Sequence, residues 1–174
     1  MRITLPVTAE DRRIAWLASL ALGLTLAENA LPSPLPGVKP GLANIVTLVV
    51  LDRFGWRVAA WVSALRVVAG SILLGTFLSP GFVLSFVGAL AALLALAATR
   101  PLPAKWFGPV THSVVAAFAH LSGQLAVVYL WLIPHAGLVS LVPVLAGAAL
   151  VFGTVNGLAA TRLLQQLPLR PKPA

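Results

Sequence analysis

The apolar segment WRVAAWVSALRVVAGSILLGTFL, residues 56–78, is the clearest indication of the fold class of this chain. It is apolar except for Arg57 near its start, Arg66 near its middle and a few small polar residues. It is also longer than the about 20 residues that a helix needs to cross a membrane. Further apolar runs lie at residues 14–31, 42–51, 82–99, 110–133 and 138–164. The pattern predicts an all-α membrane protein, a six-transmembrane-helix bundle.

The composition excludes an ordinary soluble domain. Hydrophobic residues make up 59% of the chain and charged residues only 9%, whereas about one quarter of a soluble domain is charged. The net charge of +8 does not indicate nucleic-acid binding, because the basic residues lie between the apolar runs and not on one face. The chain has no cysteine, which excludes disulfides and cysteine-type zinc sites.

The second apolar run is too short to span a membrane unless its flanks join it. The preceding segment LPSPLPGVKPG, residues 31–41, is rich in proline and glycine and cannot form a regular helix. We expect an ordered loop that dips into the outer face of the membrane. Residues 1–168 are predicted to form a single integral membrane domain, and residues 169–174 a short cytoplasmic tail.

The basic residues predict the topology, because short cytoplasmic loops collect lysine and arginine. If the N-terminus is cytoplasmic, the external segments hold only Lys39. We therefore expect both termini in the cytoplasm, a multi-pass arrangement in the cell (inner) membrane, and no cleaved signal peptide. The residues that this orientation places in cytoplasmic segments are Arg2, Arg12, Arg13, Arg53, Arg57, Arg100, Lys105, Arg162, Arg170 and Lys172.

Arg66 is the first candidate for a functional role. It lies near the middle of the third predicted helix, about 15 Å from either membrane surface. An arginine at this depth costs about 2.5–3.5 kcal/mol on insertion scales, and such residues usually face a cavity or a partner charge. Two interpretations follow, a structural ion pair with Glu28 and a binding site for an anionic group, and the two are compatible.

Polar residues near the proline-rich segment are further candidates for substrate binding. Glu28 ends the first helix on the external side, Lys39 lies in the loop, and Asn44 begins the second helix. Since a helix N-terminus attracts anions, Lys39, this first turn and Arg66 together predict an outward-opening anion pocket. In the alternative interpretation Lys39 contacts lipid headgroups and Asn44 caps its own helix.

The fifth and sixth predicted helices also carry polar residues. His112, His120 and Gln124 fall broadly on one face, which indicates the bundle interior and makes His120 and Gln124 additional substrate-binding candidates. We predict no metal site, because these histidines lack an acidic third ligand. Asn156, between Gly153 and Gly157, is predicted to make interhelical hydrogen bonds at a close helix contact.

A strip of small residues, Ala15, Ser19, Gly23 and Ala27, recurs every four positions along the first helix. Small residues at this spacing let helices approach closely in lipid. The strip is consistent with a partner-docking face, with packing inside the chain, or with chance in a sequence rich in alanine and glycine.

Patterns for catalysis are scarce. The four acidic residues are Glu10, Asp11, Glu28 and Asp52, and no two lie together inside an apolar run, so chemistry by paired carboxylates is not expected. A phosphate-binding glycine-rich loop with lysine is also missing from the sequence. We therefore predict no enzyme activity and no cofactor, and any energised transport would need other subunits.

The segment ENALPSPLPGVKPGLANIVTLVVLDRFGW, residues 28–56, resembles the Gx transporter family, together with RVVAGSILLGTF at 66–77 and FVLSFVGAL at 82–90. This family is also labelled heptaprenyl diphosphate synthase component I, and it is similar to the S components of energy-coupling factor (ECF) transporters. The resemblance covers nearly the whole chain. It implies an S-component-like fold that captures a vitamin-like or precursor molecule outside the cell.

The resemblance also implies partners. S components work with a transmembrane coupling subunit and two cytoplasmic ATPases, and an AxxxA-type pattern on their first helix meets the coupling subunit; here the pattern is AxxxSxxxGxxxA at residues 15–27. The synthase label implies a different role. Prenyl synthases use Asp-rich motifs, and this chain has no adjacent aspartates, so the label leaves only an accessory role beside a catalytic subunit.

The leading prediction is a membrane substrate-binding and transport subunit for a small, partly anionic molecule. The alternative is a non-catalytic membrane accessory subunit of an isoprenoid- or quinone-pathway enzyme. The predicted partners are the small-molecule substrate and the lipid bilayer, with a coupling subunit and ATPases under the first prediction.

Overall fold

The computed structural model of the chain describes residues 6–30, 40–103 and 105–167. These residues are almost entirely helical and contain no strand, which confirms the predicted all-α class. A π-helical turn, Val128–Leu132, extends the fifth helix, and a 3-10 turn, Ala136–Leu141, precedes the sixth. The α-helices are α1 (Ala9–Ala30), α2 (Ala43–Phe54), α3 (Trp56–Leu73), α4 (Pro80–Thr99), α5 (Pro109–Val127) and α6 (Val142–Gln166).

Four helical stretches are long and apolar enough to cross a membrane. The first two helices do not meet the same criteria, since α2 has only 12 residues and α1 begins with a charged turn. The protein is therefore a multi-pass membrane protein. The four stretches are Trp56–Leu73, Pro80–Thr99, Pro109–Leu132 and Gly137–Gln166.

Local hydrogen bonds and backbone angles explain where the helices differ from the apolar runs. α1 begins before residue 14 because Thr8 and Asp11 form a reciprocal cap, in which each backbone N–H donates to the other side chain at 2.9 and 3.1 Å. α3 ends at Leu73, not at residue 78, because the chain turns through left-handed conformations at Gly75 and Leu78.

The helices pack as a ring with one helix outside it. Each helix from α2 to α5 packs against the next one in the chain, and α6 packs against α2, which closes the ring. Helix α1 packs on the outside, against α2 and α3. The α5–α6 contact is close at glycines, since a Cβ built on Gly157 would lie 2.6 Å from the Cα of Val110. The core between α2 and α3 centres on Val50, Ala59 and Val62.

Arg53, at the C-terminal end of α2, connects α2 to the C-terminal end of α6. Its Nη2 donates to the carbonyl oxygens of Leu164 at 2.6 Å and Leu167 at 3.2 Å, so it caps the C-terminus of α6. The carbonyl groups at a helix end have no partner within the helix, and arginine is well placed to satisfy them.

We expect Arg53→Ala to lower the free energy of unfolding by about 1.5–3 kcal/mol, the range for hydrogen bonds to charged groups. Denaturant titration of the purified protein in detergent, followed by tryptophan fluorescence, measures this change. Arg57→Ala is the matched control, since Arg57 is exposed at the start of α3. Equal losses in the two variants would contradict the capping role.

Candidate ligand cavity

A cavity of about 510 Å³ lies between the helices. Its lining comes mostly from the C-terminal halves of α1, α3 and α5 and the N-terminal halves of α2, α4 and α6. Because consecutive helices run in opposite directions, these halves share one end of the bundle. The volume falls within the about 300–1,000 Å³ that is typical of small-molecule sites.

The short helix α2 contributes less to the cavity wall than α3 and α6. Twelve residues extend over about 18 Å, against the about 30 Å thickness of the hydrocarbon core. Beyond the start of α2, the facing residues are Gly70 and Leu74 of α3 and Leu145 and Ala148 of α6, and all four line the cavity. The cavity therefore borders the parts of α3 and α6 that extend beyond the start of α2.

Five of the six predicted substrate-binding residues line this cavity: Glu28, Asn44, Arg66, His120 and Gln124. They come from four helices, one each from α1, α2 and α3 and two from α5. Lys39 lies outside the described residues. The structure therefore brings the described candidates together, and their role in binding stays a prediction.

Arg66 reaches the cavity without a partner among the described residues. Its Nε is buried and has no hydrogen bond, and no carboxylate in the described ranges lies within 4.0 Å of its guanidinium group. Glu28 attracts Arg66 only over a longer distance. A direct ion pair between Arg66 and Glu28 was one of the two interpretations of the sequence, and the structure does not contain it.

Glu28 makes a different contact. Glu28 is 7% exposed, and its carboxylate accepts a hydrogen bond from the backbone N–H of Gly41. On the other side, the Nδ2 of Asn156 donates to the carbonyl oxygens of Pro40 at 2.7 Å and Gly41 at 3.3 Å. Two buried polar side chains from α1 and α6 therefore fix the chain just before α2.

Asn156 was missed as a cavity residue. The sequence indicated an interhelical hydrogen bond, but its amide instead binds the chain before α2 and faces the cavity. The close helix contact at Gly153 and Gly157 is present. Also missed were small polar residues of the lining such as Thr25 and Ser71, which bond to carbonyls of their own helices and carry no distinctive sequence signal.

His120 lies directly against Gly88 of α4, since a Cβ built on Gly88 would lie 2.7–2.9 Å from three of its ring atoms. His112, by contrast, does not line the cavity, and its ring lies 6.0 Å from that of Phe107. Of the two histidines predicted on one face of α5, one therefore contributes to the site. No group of three potential metal ligands occurs in the described ranges.

We expect Gly88→Ala to push the His120 ring into the cavity, because the added methyl group needs the space that the ring occupies. Because the ring borders the open cavity and can move, we expect the free energy of unfolding to fall by only about 1 kcal/mol, the low end for overpacking. Carbethoxylation of His120, followed by mass spectrometry, should become faster. Gly81→Ala is the control on the same helix, since its nearest atom lies at 3.6 Å; the same rate in both variants would contradict this packing.

A second cavity of about 20 Å³ lies deeper in the bundle. Its polar lining consists of Asn44, Thr47, Ser63, Arg66 and Ser113. The volume suffices for about one water molecule. Arg66 and Asn44 border both cavities, so they form the polar floor of the larger one.

The strip of small residues on α1 faces outward. Ala15, Ser19, Gly23 and Ala27 are all exposed, and a Cβ built on Gly23 would meet no atom within 4 Å. Packing inside the chain therefore does not account for the strip.

Apolar helices of membrane-spanning length around one partly polar cavity define a multi-pass membrane protein with a small-molecule site as its candidate functional feature. The chain belongs to the heptaprenyl diphosphate synthase component I family, whose family model matches residues 17–163. No curated protein and no solved structure shows a significant match to it.

Proposed function

We propose that this protein is the substrate-binding subunit of a membrane transporter, similar to an S component, for uptake of a small, partly anionic vitamin-like or precursor molecule. The environment of Arg66 supports this proposal most directly. It lines a cavity of ligand size and has an Nε without a partner. Buried polar groups are normally satisfied, so a bound anion would complete the site.

The proposed topology has six crossings, both termini in the cytoplasm and the cavity opening outward in the inner membrane. The basic residues at the ends of the helices support this orientation. Under this topology the C-terminal ends of α1, α3 and α5 are external. The cavity would then accept solute from outside the cell.

The proposed partners are a transmembrane coupling subunit and two ATPases. The exposed strip on α1 supports a docking role, because small outward-facing residues let another helix approach closely. Neither catalysis nor nucleic-acid binding is part of the proposal. Gly23→Leu should prevent assembly with a coupling subunit in co-purification while leaving solute binding unchanged.

Native mass spectrometry of the purified protein tests the central claim. We expect a small molecule with an acidic group to co-purify with the wild type and to be lost from Arg66→Ala, while both proteins remain folded and monodisperse. Retention of the same molecule by both would remove Arg66 from the site.

The family description supports a second candidate, a membrane accessory subunit of an isoprenoid- or quinone-pathway enzyme. Affinity purification from native membranes separates the two functions. Recovery of a prenyl synthase would favour the accessory role, and recovery of a coupling subunit with ATPases would favour transport.

A further inference from the structure

The polarity of the cavity changes along its axis. On α3 the lining runs from Arg66 to Leu74, about 12 Å further out, and on α6 it runs from Asn156 out to Leu145, about 16 Å away. On α4 the outermost large side chain of the lining is Phe82. The inner end of the cavity is therefore polar and charged, and its outer wall is mostly apolar.

The apolar wall includes aromatic surface. Phe82 lies between two other rings, with its centroid 5.1 Å from that of Phe77 and 5.8 Å from that of Phe86. Phe152 of α6 also lines the cavity. Aromatic rings at such distances stabilise one another, so Phe82 presents a firmly placed apolar face to a ligand.

The charges at the inner end limit the charge of the ligand. Among the described lining residues, Arg66 is the only lysine or arginine, and Glu28 is the only carboxylate. Arg66 offers its guanidinium donors to one acidic group, in the forked geometry that suits a carboxylate or a phosphate. A second negative charge on the ligand would be repelled by Glu28 in a medium of low dielectric constant.

We propose that the cavity binds an amphipathic monoanion, with a carboxylate innermost against Arg66 and an apolar or aromatic body along the wall of Leu74, Phe82 and Leu145. This inference rests on the proposed function and specifies its ligand. The body reaches at most about 12–16 Å from the acid group, since that is the length of the lined helix segments.

Binding of a probe series to the wild-type protein in lipid nanodiscs tests the ligand class. The probes are 4-phenylbutyrate, 4-phenyl-1-butanol, acetate and phenyl phosphate, measured by calorimetry with empty nanodiscs subtracted. We expect 4-phenylbutyrate to bind at least about tenfold more tightly than each of the others, because only this probe combines a single negative charge with an apolar body. Equal binding of acetate, of the alcohol or of the phosphate would overturn the inference.

Two phenylalanine variants test the orientation. Phe82→Ala should weaken 4-phenylbutyrate binding about tenfold, whereas Phe86→Ala should not, since Phe86 is exposed and does not line the cavity. Equal effects of the two variants would contradict contact between Phe82 and the ligand body.

The same measurements separate this inference from the proposed function. If Arg66→Gln abolishes binding of acetate and 4-phenylbutyrate alike while Phe82→Ala changes neither, the anion site stands and the amphipathic ligand class is wrong. If Arg66→Gln leaves the binding of every probe and of the co-purifying solute unchanged, both are wrong.

Discussion

Arg66→Gln is expected to weaken binding of the solute identified in the wild-type protein by about 100-fold or more. A guanidinium group that donates two charge-assisted hydrogen bonds contributes about 1.5–3 kcal/mol for each, and about 1.4 kcal/mol corresponds to a factor of ten in affinity. Arg66 has no partner among the described residues to compete with the ligand. Equilibrium binding of the labelled solute in nanodiscs measures the loss.

The stability of the ligand-free variant distinguishes a binding role from a structural one. An unpaired arginine costs about 2.5–3.5 kcal/mol at the centre of a membrane helix, so Arg66→Gln should leave the ligand-free protein as stable as the wild type or more stable. A structural arginine would show the opposite, a loss of stability without ligand. Arg162→Gln is a suitable control, since Arg162 is exposed near the end of α6.

Gly157→Val is expected to lower the free energy of unfolding by about 3 kcal/mol, at the upper end of the usual cost of overpacking. A Cβ at this position would lie 2.6 Å from the Cα of Val110 and 3.0 Å from the Cβ of Ser113. Since a backbone atom cannot rotate away, α5 and α6 would have to separate. Denaturant titration in detergent measures the effect.

Gly147→Val provides the control on the same helix, because a Cβ on Gly147 meets no atom within 4 Å. It carries the same change in helix propensity and in volume. A loss of stability at Gly147 equal to that at Gly157 would show that the helix itself, and not the α5–α6 contact, resists the substitution.

Much of the fold could be predicted from the sequence, because a membrane solvent requires long apolar helices and the apolar runs are clear. The ends of the helices were less predictable. Hydropathy does not register the cap of Thr8 and Asp11, so α1 begins earlier than its apolar run. It also does not register backbone turns, so the predicted end of α3 at residue 78 was wrong.

The residues of the candidate site were predictable where a charged side chain lies in an apolar segment, because a charge inside a membrane is energetically unfavourable. Arg66 and Glu28 stand out because charges are rare inside apolar runs, and both line the cavity. The cavity itself was not predictable, since its lining comes from the packing of six helices against one another. The same holds for Asn156, whose bonds to Pro40 and Gly41 join positions more than one hundred residues apart.

A single residue, Gly55, separates α2 from α3, and its left-handed φ of +86° admits few other residues. Because only one residue joins them, the end of α2 and the start of α3 stay adjacent. Hydrogen bonds tie both ends of α2 to α6: the carbonyl oxygen of Gly41 accepts from Asn156, and Arg53 donates to Leu164. Tilting of α2 against α6 would therefore break a partly buried hydrogen bond at one end or the other.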